Sequence, residues 1–413
     1  MLMLVMTACS WGQSLDAPWV KQAQQRVEAA RKTDVRVIVL NRRGEPVPGA
    51  RVRLAMQRHA FAFGVRLNPS DFADGQQPPA ARDASAVWRC FNAASLDAAT
   101  AWAVTQPHPG QWDFLTIDDM IAWADGRGMT LRWGSLTSAD PARVPGWVIG
   151  RHNESLQDAL EDHIRTVMVR FGHRVDQFDV HTDQLDHKLV ADRLGWAMVR
   201  RLHEYAQAAA PEARTCLRFE NALSGDRLNT MIQEVARMRE AFVPFDLVAV
   251  DQQWSGMILQ GPLQRGVESV GKLGHGVVVT NLEVGGPTPA AAAINLETVL
   301  RTLLAEPAIK GIWFAGATAG ELTDPSAALV DADGQPTPAG QVLDGLVRRA
   351  WWTDEQHTTD ELGNVRARVY AGVYQLHADT PDGPASTTIY LPVTPAPRIV
   401  LLSPLSTLEP VGD

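Results

Sequence analysis

Two hydrophobic patterns alternate through the middle of the chain. Short apolar runs typical of buried strands recur at residues 59–67, 87–96, 129–136, 175–183, 215–223, 246–254, 276–284 and 310–317. Stretches with helical periodicity lie between most of them, at residues 156–171, 193–209, 227–241, 262–272 and 290–304. Eight strands alternating with helices predict an α/β fold, a (β/α)8 barrel. A doubly wound open sheet is the rival architecture, but no glycine-rich phosphate loop follows the first strand.

Both ends of the chain have the period-two pattern of exposed strands. Residues 35–54 alternate around a Gly/Pro turn, which predicts a β-hairpin, and the segments that begin at residues 365, 387 and 399 alternate in the same way. We therefore predict that the two ends form one small β-rich module. The predicted division of the chain is an N-terminal β-rich segment, a barrel and a C-terminal β-rich segment, at residues 18–58, 59–350 and 351–413.

The first 17 residues contain a short apolar run, MLMLVMTACS, that ends in small residues and Cys9. This pattern predicts an export or lipoprotein signal at residues 1–17 with lipidation at Cys9, and hence a periplasmic, outer-surface or secreted protein. No basic residue precedes the apolar run, which a truncated signal would explain. The alternative is a frayed terminus with a stray cysteine. Cys90 and Cys216 lie within apolar strand patterns and are predicted to be buried thiols.

The charge balance narrows the range of partners. The formal net charge of the 413 residues is −9, which disfavours binding to nucleic acid or to an anionic membrane surface. No apolar stretch reaches membrane-spanning length, so membrane contact is predicted only through a lipid at Cys9. No residue pattern indicates a cofactor or a metal site.

Acidic residues stand at the ends of successive predicted strands. They are Asp97, Asp183, Glu220, Asp251 and Glu283. In a barrel these ends converge on one face, so the five carboxylates predict a shared polar cleft. Taken singly, each is equally well explained as the cap of the following helix.

Several segments between residues 61 and 347 resemble glycoside hydrolase family 10, the xylanases. They include FAFGVRL at the first strand, FNAASLDAATAW from the second strand onward, and LVDADGQPTPAGQVLDGL near the end of the barrel. The resemblance implies a (β/α)8 barrel, O-glycosyl hydrolase ancestry and a polysaccharide or oligosaccharide as the partner. It also implies that the sequence DVHTD places Asp183 at the acid/base position and that VVVTNLE places Asn281 at the nucleophile position.

Both catalytic positions depart from the family pattern, in which each is a glutamate. A retaining glycosidase needs two carboxyl groups about 5–5.5 Å apart, and the amide of Asn281 is neutral and a poor nucleophile. Glu283 stands where the family has aspartate. Because strand side chains alternate, Asn281 and Glu283 are predicted to point to the same side. Asp183 is also one methylene shorter than the family's acid.

The positions that grip the sugar in the family are altered too. The candidates that the resemblance and the strand ends leave for substrate binding are Trp102, Arg132, Trp133, Asp251, Gln253 and Trp254. An aromatic ring near a strand end is a platform for a sugar ring, although packing between barrel and helices explains each tryptophan as well.

Three hypotheses for function follow. The first is a protein that binds or handles polysaccharide without the standard retaining xylanase reaction. The second is an active glycosidase with a rearranged carboxylate pair, Asp183 with Glu283 or with Glu220, acting on a plant or bacterial polysaccharide. The third is a structural barrel whose working part is the terminal β module.

Overall fold

A computed structural model describes residues 18–75 and 85–404. The predicted signal at residues 1–17, including Cys9, lies outside the described residues. Eight parallel strands close into a barrel in chain order, β3 to β10, with β10 pairing to β3. The predicted (β/α)8 barrel is therefore confirmed. Each barrel strand overlaps one of the eight predicted strand regions.

The barrel strands are β3 (Ala62–Arg66), β4 (Ala93–Ser95), β5 (Thr130–Ser138), β6 (Gln177–Thr182), β7 (Arg214–Glu220), β8 (Leu247–Trp254), β9 (Gly276–Val284) and β10 (Ile309–Phe314). The strands outside the barrel are β1 (Lys32–Val39), β2 (Arg51–His59), β11 (Asp354–Thr358), β12 (Asn364–Tyr370), β13 (Gly372–Thr380), β14 (Gly383–Leu391) and β15 (Arg398–Leu402).

The helices are α1 (Pro18–Arg31), α2 (Trp102–Thr105), α3 (Leu115–Asp125), α4 (Gly146–Ile149), α5 (Asn153–Phe171), α6 (Leu189–Leu194), α7 (Trp196–Ala209), α8 (Gly225–Glu240), α9 (Gln260–Gly271), α10 (Pro289–Leu304) and α11 (Pro338–Gly345). None of the helices in the described part of the chain is long and apolar enough to cross a membrane.

The barrel strands are largely buried on both faces because helices cover the outside and side chains fill the inside. In β8, for example, the four residues from Leu247 to Val250 are all buried. Helix α10 shows how a covering helix is specified. Thr288 caps it by accepting a hydrogen bond from the Ala291 N–H, Pro289 starts its first turn, and one long apolar face is buried against the barrel.

The two chain ends form two further sheets, as predicted for the terminal module. Strands β12, β1 and β15 form one sheet, and β11, β2, β13 and β14 form the other, so each sheet combines N- and C-terminal strands. The predicted hairpin over residues 35–54 is wrong, because β1 and β2 lie in different sheets. Only a short turn joins them, with a bridge between Leu40 and Pro46. Alternation predicts a strand but does not name its partner.

Cys90 and Cys216 are free and buried, which confirms their prediction as inert thiols. Burial raises the pKa of each thiol to about 12. Neither sulfur is a reactive thiolate near neutral pH.

Candidate functional site

A β-bulge in β9 determines where Asn281 points. Thr280 and Glu283 of β9 pair with Asp251 and Gln253 of β8, so two residues of β9 lie opposite one residue of β8. Two residues of β9 also lie opposite one residue of β10. Asn281 is the residue with positive φ there, at 44°. An extra residue in one strand re-aims the side chains around it. The prediction that Asn281 and Glu283 share one side is wrong, since strict alternation fails at the bulge and the two side chains contact different groups.

The side chain of Asn281 lies between two carboxylates at the mouth of the barrel. Its amide nitrogen donates to Asp97 Oδ2 over 2.8 Å and to Asp251 Oδ2 over 3.1 Å. The Thr280 hydroxyl donates to the other oxygen of Asp251. The amide thus acts only as a donor toward these two groups.

Arg218 forms ion pairs with the same two carboxylates, those of Asp97 and Asp251. It stands near the end of β7 inside the barrel, with its side chain only 5% exposed. Its Nη1 donates to Asp97 Oδ1 over 2.8 Å, its Nε donates to Asp251 Oδ2 over 3.0 Å, and Nη1 also reaches Asp179 Oδ2 at 3.3 Å. Three carboxylates, from β6, from β8 and from the loop after β4, therefore converge on one guanidinium group.

Arg132 forms a second buried cation beside the first. Its Nη2 donates to Asp179 Oδ1, and its Nη1 donates to Gln177 Oε1 over 3.1 Å. Arg132 is 1% exposed, so it supports the floor of the mouth and is not open to a ligand. The prediction that Arg132 binds substrate is corrected on this ground.

The charges in this network fix one another's ionisation. Burial alone would raise the pKa of Asp97, but Arg218 and the Asn281 amide outweigh it and hold that pKa well below its ordinary value. The three carboxylates in turn overcome the effect of burial and raise the pKa of Arg218. Gly134 makes room for the arrangement, because a Cβ there would lie 2.0 Å from Asp97 Oδ1.

Arg218 and Asp179 are site residues that the candidate set omitted. The available signal was an arginine inside an otherwise apolar strand, TCLRFE, two residues before a glutamate. A buried guanidinium requires carboxylate partners, so this position predicts an ionic network.

Asp183 directly follows β6, with φ at 64°, in the left-handed region. One oxygen, Oδ2, accepts from the Ser138 hydroxyl over 2.5 Å and from the Thr182 hydroxyl over 2.7 Å. The other oxygen faces Arg143 Nε at 3.6 Å. Burial would raise the pKa of Asp183, but these hydroxyl donors and Arg143 lower it overall.

Glu220, at the end of β7, behaves in the opposite way. Burial, followed by the charge of Asp183, raises the pKa of Glu220 to about 8, and Arg218 offsets only part of this. Its Oε1 is buried and has no hydrogen-bond partner among the described residues. Asp183 and Glu220 are thus neighbouring carboxyl groups whose pKa values diverge.

The Glu283 carboxylate binds the backbone of a loop and does not join the other four strand-end carboxylates. Its two oxygens accept from the backbone N–H groups of Thr323 and Asp324 at 3.1 and 2.8 Å, and the residue is 3% exposed. Of the five predicted carboxylates, Asp97 and Asp251 therefore meet at Arg218, Asp183 and Glu220 form a second pair, and Glu283 anchors a loop.

The three candidate tryptophans differ in exposure. Trp102 is 2% exposed and stacks on His163, with ring centroids 4.3 Å apart. Trp133 is fully buried between Phe171 and Phe178. Substrate binding by the face of Trp133 is therefore corrected, because this ring packs between the barrel and its helices. Trp102 packs on His163 but also lines the cavity beside Asp97, so substrate binding by Trp102 stays a prediction.

Trp254 is only partly buried, at the end of β8. Gln253 beside it is exposed, and its backbone N–H donates to Asn221 Oδ1 over 3.0 Å. Trp254, Gln253 and Asp251 are therefore predicted substrate-binding residues that remain accessible to a ligand.

A cavity of about 320 Å³ lies beside Asp97. Its polar lining comes from Asp97, Ser135, Thr137, Ser138 and Arg143. Within residues 18–75 and 85–404, no three His, Cys, Asp or Glu side chains are grouped as a metal site requires. The mouth therefore offers hydrogen-bonding groups and charge to a ligand of hydroxyl and ether oxygens.

The sequence comparisons point to one family. Residues 52–344 match the model of Glycosyl hydrolase family 10. The chain is 21% identical over 368 residues to anti-sigma-I factor RsgI6 of Acetivibrio thermocellus, covering 88% of this chain and 47% of that protein. It is 20% identical over 371 residues to endo-1,4-beta-xylanase 1 of Arabidopsis thaliana, covering 87% of this chain and 38% of that protein. The chain thus spans less than half the length of these two relatives.

Solved structures share the fold. Xylanase 10B from Thermotoga petrophila, in complex with xylobiose, superposes with a TM-score of 0.58 and 20% identity, covering 70% of this chain and 93% of that one. Native xylanase 10C from Cellvibrio japonicus gives a TM-score of 0.61 and 19% identity, covering 70% and 71% of the two chains. The family match covers well over half of the sequence, and the barrel it describes is present. The chain belongs to glycosyl hydrolase family 10.

Proposed function

We propose that this barrel binds a xylan-type oligosaccharide at its mouth without hydrolysing it by the retaining reaction. The observation that carries the proposal is the position of Asn281, whose amide donates to Asp97 and Asp251. A retaining glycosidase needs a carboxylate there, about 5–5.5 Å from the acid/base. An amide that is fixed as a donor between two carboxylates does not attack an anomeric carbon.

The neighbouring carboxylates do not supply a substitute nucleophile. Asp97 and Asp251 are paired with Arg218 and hydrogen-bonded to Asn281, which lowers their reactivity. Glu283 is bound by two backbone N–H groups of the loop at residues 323–324. Its displacement would leave those donors unsatisfied.

Binding is supported by the relatives and by the surface that remains. The Thermotoga petrophila relative was crystallised with xylobiose. In this chain Trp254 offers a partly exposed ring, while Gln253 and the cavity beside Asp97 offer polar groups. An aromatic platform next to convergent polar groups suits a sugar ring.

A second candidate function is hydrolysis by the pair Asp183 and Glu220. One observation favours it: environments that push the pKa values of two carboxyl groups apart also assign acid and base roles in glycosidases. Glu220 would be the acid in this arrangement. Neither residue lies at the nucleophile position, so such a reaction would require water as the attacking group.

The deciding experiment uses the full chain with xylohexaose and with insoluble xylan. Calorimetric titration measures binding, and release of reducing ends over a day measures turnover. We expect binding without turnover, and about tenfold weaker binding in Trp254→Ala, since loss of a stacked ring costs roughly 1.4 kcal/mol or more. Trp196→Ala is the matched control, because Trp196 is 37% exposed but lies on α7 and packs against Arg237.

Turnover decides between the two candidates. Steady release of reducing ends that Asp183→Ala or Glu220→Ala abolishes would replace the binding proposal with the glycosidase. Absence of binding to every xylan fraction would overturn both.

A further inference from the structure

A second cavity, of about 430 Å³, lies between the barrel and the terminal module. The barrel contributes Phe61, which precedes β3, and Lys310, the second residue of β10. The module contributes Tyr370 of β12 and Tyr390 of β14. Because the mouth lies where the barrel strands end, this cavity lies at the opposite end of the barrel, where they begin. We propose that it binds a small aromatic carboxylate, independently of the proposed glycan site.

The size of the cavity is that of a ligand pocket. Protein interiors are close-packed and contain few voids larger than a water molecule, whereas pockets for small molecules have volumes of about 300–1,000 Å³. Tyr390 and Val393 in its lining are 53% and 52% exposed, while Tyr370 is 4% exposed. The cavity therefore reaches from the surface into the buried contact between the module and the barrel.

Aromatic rings form much of its wall. The rings of Phe61 and Phe63 have centroids 4.9 Å apart, and those of Phe63 and Trp351 lie nearly parallel, at 11° and 6.3 Å. All three residues are buried. Such rings bind another ring through offset or edge contacts and gain free energy from the apolar area that is removed from water. The wall therefore favours a ligand with an aromatic body.

Two cations, Arg31 and Lys310, line the cavity, and none of its described lining residues is an acid. Arg31 lies at the end of α1 with its guanidinium carbon 4.7 Å from the centre of the Phe61 ring. Its Nε donates to the backbone oxygen of Leu304 over 2.9 Å, and its Nη2 donates to two further backbone oxygens. Nη1 has no acceptor among the described residues, so this nitrogen can donate to a ligand.

Lys310 also has donors to spare. Its Nζ donates to the backbone oxygen of Pro307 over 2.9 Å, which leaves two of its three N–H groups. Burial, followed by the charge of Arg31, lowers the pKa of Lys310. Burial lowers the pKa of Arg31 to about 10, and the charge of Glu306, which is outside the lining, offsets these effects only in part. An anion in the cavity would stabilise both cations.

An acidic sugar would match the cations but not the rest of the lining. His59 Nε2 is already hydrogen-bonded to the backbone oxygen of Val347 at 2.9 Å, and the Tyr370 hydroxyl accepts from Gln24 Nε2 over 2.9 Å. The buried wall is otherwise aromatic and aliphatic, so it would leave sugar hydroxyl groups without partners, which is unfavourable. A carboxylate on an aromatic ring places its charge at the two cations and its ring against the apolar wall.

The first experiment measures binding and its location in the full chain, with cinnamate as the ligand. Calorimetric titration should give a Kd of about 1 mM or tighter, the order expected for a ligand of fragment size. With nitrogen-15-labelled tryptophan, the indole signal of Trp351, assigned with Trp351→Phe, should shift on addition of cinnamate. The signal of Trp254, near the mouth, should not. Absence of binding, or a shift at Trp254 alone, would overturn the site.

Two further ligands separate the charge from the ring. Cinnamamide keeps the ring but is neutral, and it should bind about tenfold more weakly than cinnamate. Glucuronate keeps the carboxylate but has no aromatic ring, and it should not displace cinnamate. Equal affinities for cinnamate and cinnamamide would overturn the role of the cations. Glucuronate that binds as tightly as cinnamate would overturn the assignment of an aromatic ligand.

Variants test the lining itself. Lys310→Met keeps the apolar stem and the backbone contacts of Arg31, and it should weaken cinnamate about threefold while leaving cinnamamide unchanged. The matched control is Lys272→Met, because Lys272 is an exposed lysine that follows α9 and lies outside the lining. It should alter neither affinity. Equal weakening of cinnamate in the two lysine variants would overturn the contact with Lys310.

A filled cavity gives a test that does not depend on charge. Ala60 is exposed and lines the cavity, so Ala60→Trp should occupy it and abolish binding of both cinnamate and cinnamamide. Full affinity for cinnamate in a folded Ala60→Trp protein would overturn the site. Lys310→Met and Ala60→Trp should leave the binding of xylohexaose unchanged, because the mouth lies at the other end of the barrel. The two binding proposals therefore succeed or fail separately.

Discussion

The side-chain amide of Asn281 and the carboxylate of Asp97 are joined by a 2.8 Å hydrogen bond, although 184 positions separate them in the sequence. This bond links β9 to the loop after β4 across the barrel mouth. The residue at the family's nucleophile position is thereby committed as a donor to a neighbouring carboxylate. A glutamate at position 281 would place a third carboxylate beside those of Asp97 and Asp251.

We therefore expect Asn281→Glu to lose stability and to gain no hydrolytic activity. The new carboxylate would face Asp97 and Asp251 in a mouth where both are already held by Arg218. Loss of two hydrogen bonds together with like-charge repulsion should lower the free energy of unfolding by about 2–4 kcal/mol. Urea unfolding and an aryl-xyloside assay measure the two effects.

Asn281→Ala is the control for this substitution, since it removes the same hydrogen bonds without adding a charge. It should cost about 1–2 kcal/mol. A stable Asn281→Glu protein that hydrolyses the aryl xyloside would contradict this prediction, because the amide of Asn281 would then not be required between Asp97 and Asp251.

Arg218 should be among the most sensitive positions of the barrel. Arg218→Met leaves Asp97, Asp179 and Asp251 without their shared cation, and removal of one partner from a buried pair typically costs about 3–5 kcal/mol. The measurement is the free energy of unfolding in urea at neutral pH.

The matched control is Arg165→Met, which removes an ion pair with Glu161 on the surface of α5. The side chain of Arg165 is 63% exposed, so the change should stay within about 0.5 kcal/mol. Equal losses in the two variants would show that the buried network contributes no more than a surface pair.

The fold could be predicted from the sequence because it depends on the periodicity of apolar positions. Buried parallel strands and amphipathic helices leave patterns that persist whatever their partners are, and all eight barrel strands followed from them. The partner of a strand leaves no such pattern, which is why the predicted hairpin of β1 and β2 is wrong. Alternation at the two ends predicts a module, but it does not predict that their strands interleave into two sheets.

The site was predictable only in part. Four of the five strand-end carboxylates lie at the mouth, but the bulge at Asn281 separates Glu283 from them. One inserted residue in a strand has no signature in residue type. The sequence does not distinguish the roles of the tryptophans, because burial and sugar stacking select the same side chain. Arg218, which organises the network, was visible in the sequence as a charge in an apolar strand.

Glu283 should matter for stability and not for turnover. Its carboxylate accepts the N–H groups of Thr323 and Asp324. Glu283→Ala leaves both donors unsatisfied and should cost about 2–3 kcal/mol, while Glu283→Gln keeps one acceptor oxygen and should cost less. Hydrogen exchange at the amides of residues 323 and 324 should accelerate in both variants, more in alanine. Unchanged exchange together with lost activity on any glycan would instead assign Glu283 to the chemistry.

The raised pKa of Glu220 predicts how stability varies with pH. Its pKa is about 8 in the folded protein against an ordinary value of 4.5. The native state therefore retains a proton that the unfolded chain releases between these values. The stabilisation is fully present below about pH 4.5 and is lost progressively as the pH rises to about 8, by at most about 1.4 kcal/mol per pH unit. Glu220→Gln removes this term, so the variant should gain stability relative to the natural protein between pH 5 and pH 8.

Unfolding in guanidinium chloride at unit steps from pH 5 to pH 9 measures that gain. Glu204→Gln is the control, because Glu204 lies on the surface of α7 in an ion pair with Arg200 whose two side chains are 42% and 46% exposed. The stability difference between the control and the natural protein should stay nearly constant over the same range. A constant difference for Glu220→Gln as well would mean that Glu220 is already ionised at pH 5. In that case Asp183 and Glu220 would both be carboxylates throughout this range, and Glu220 could not be the acid of the second candidate function.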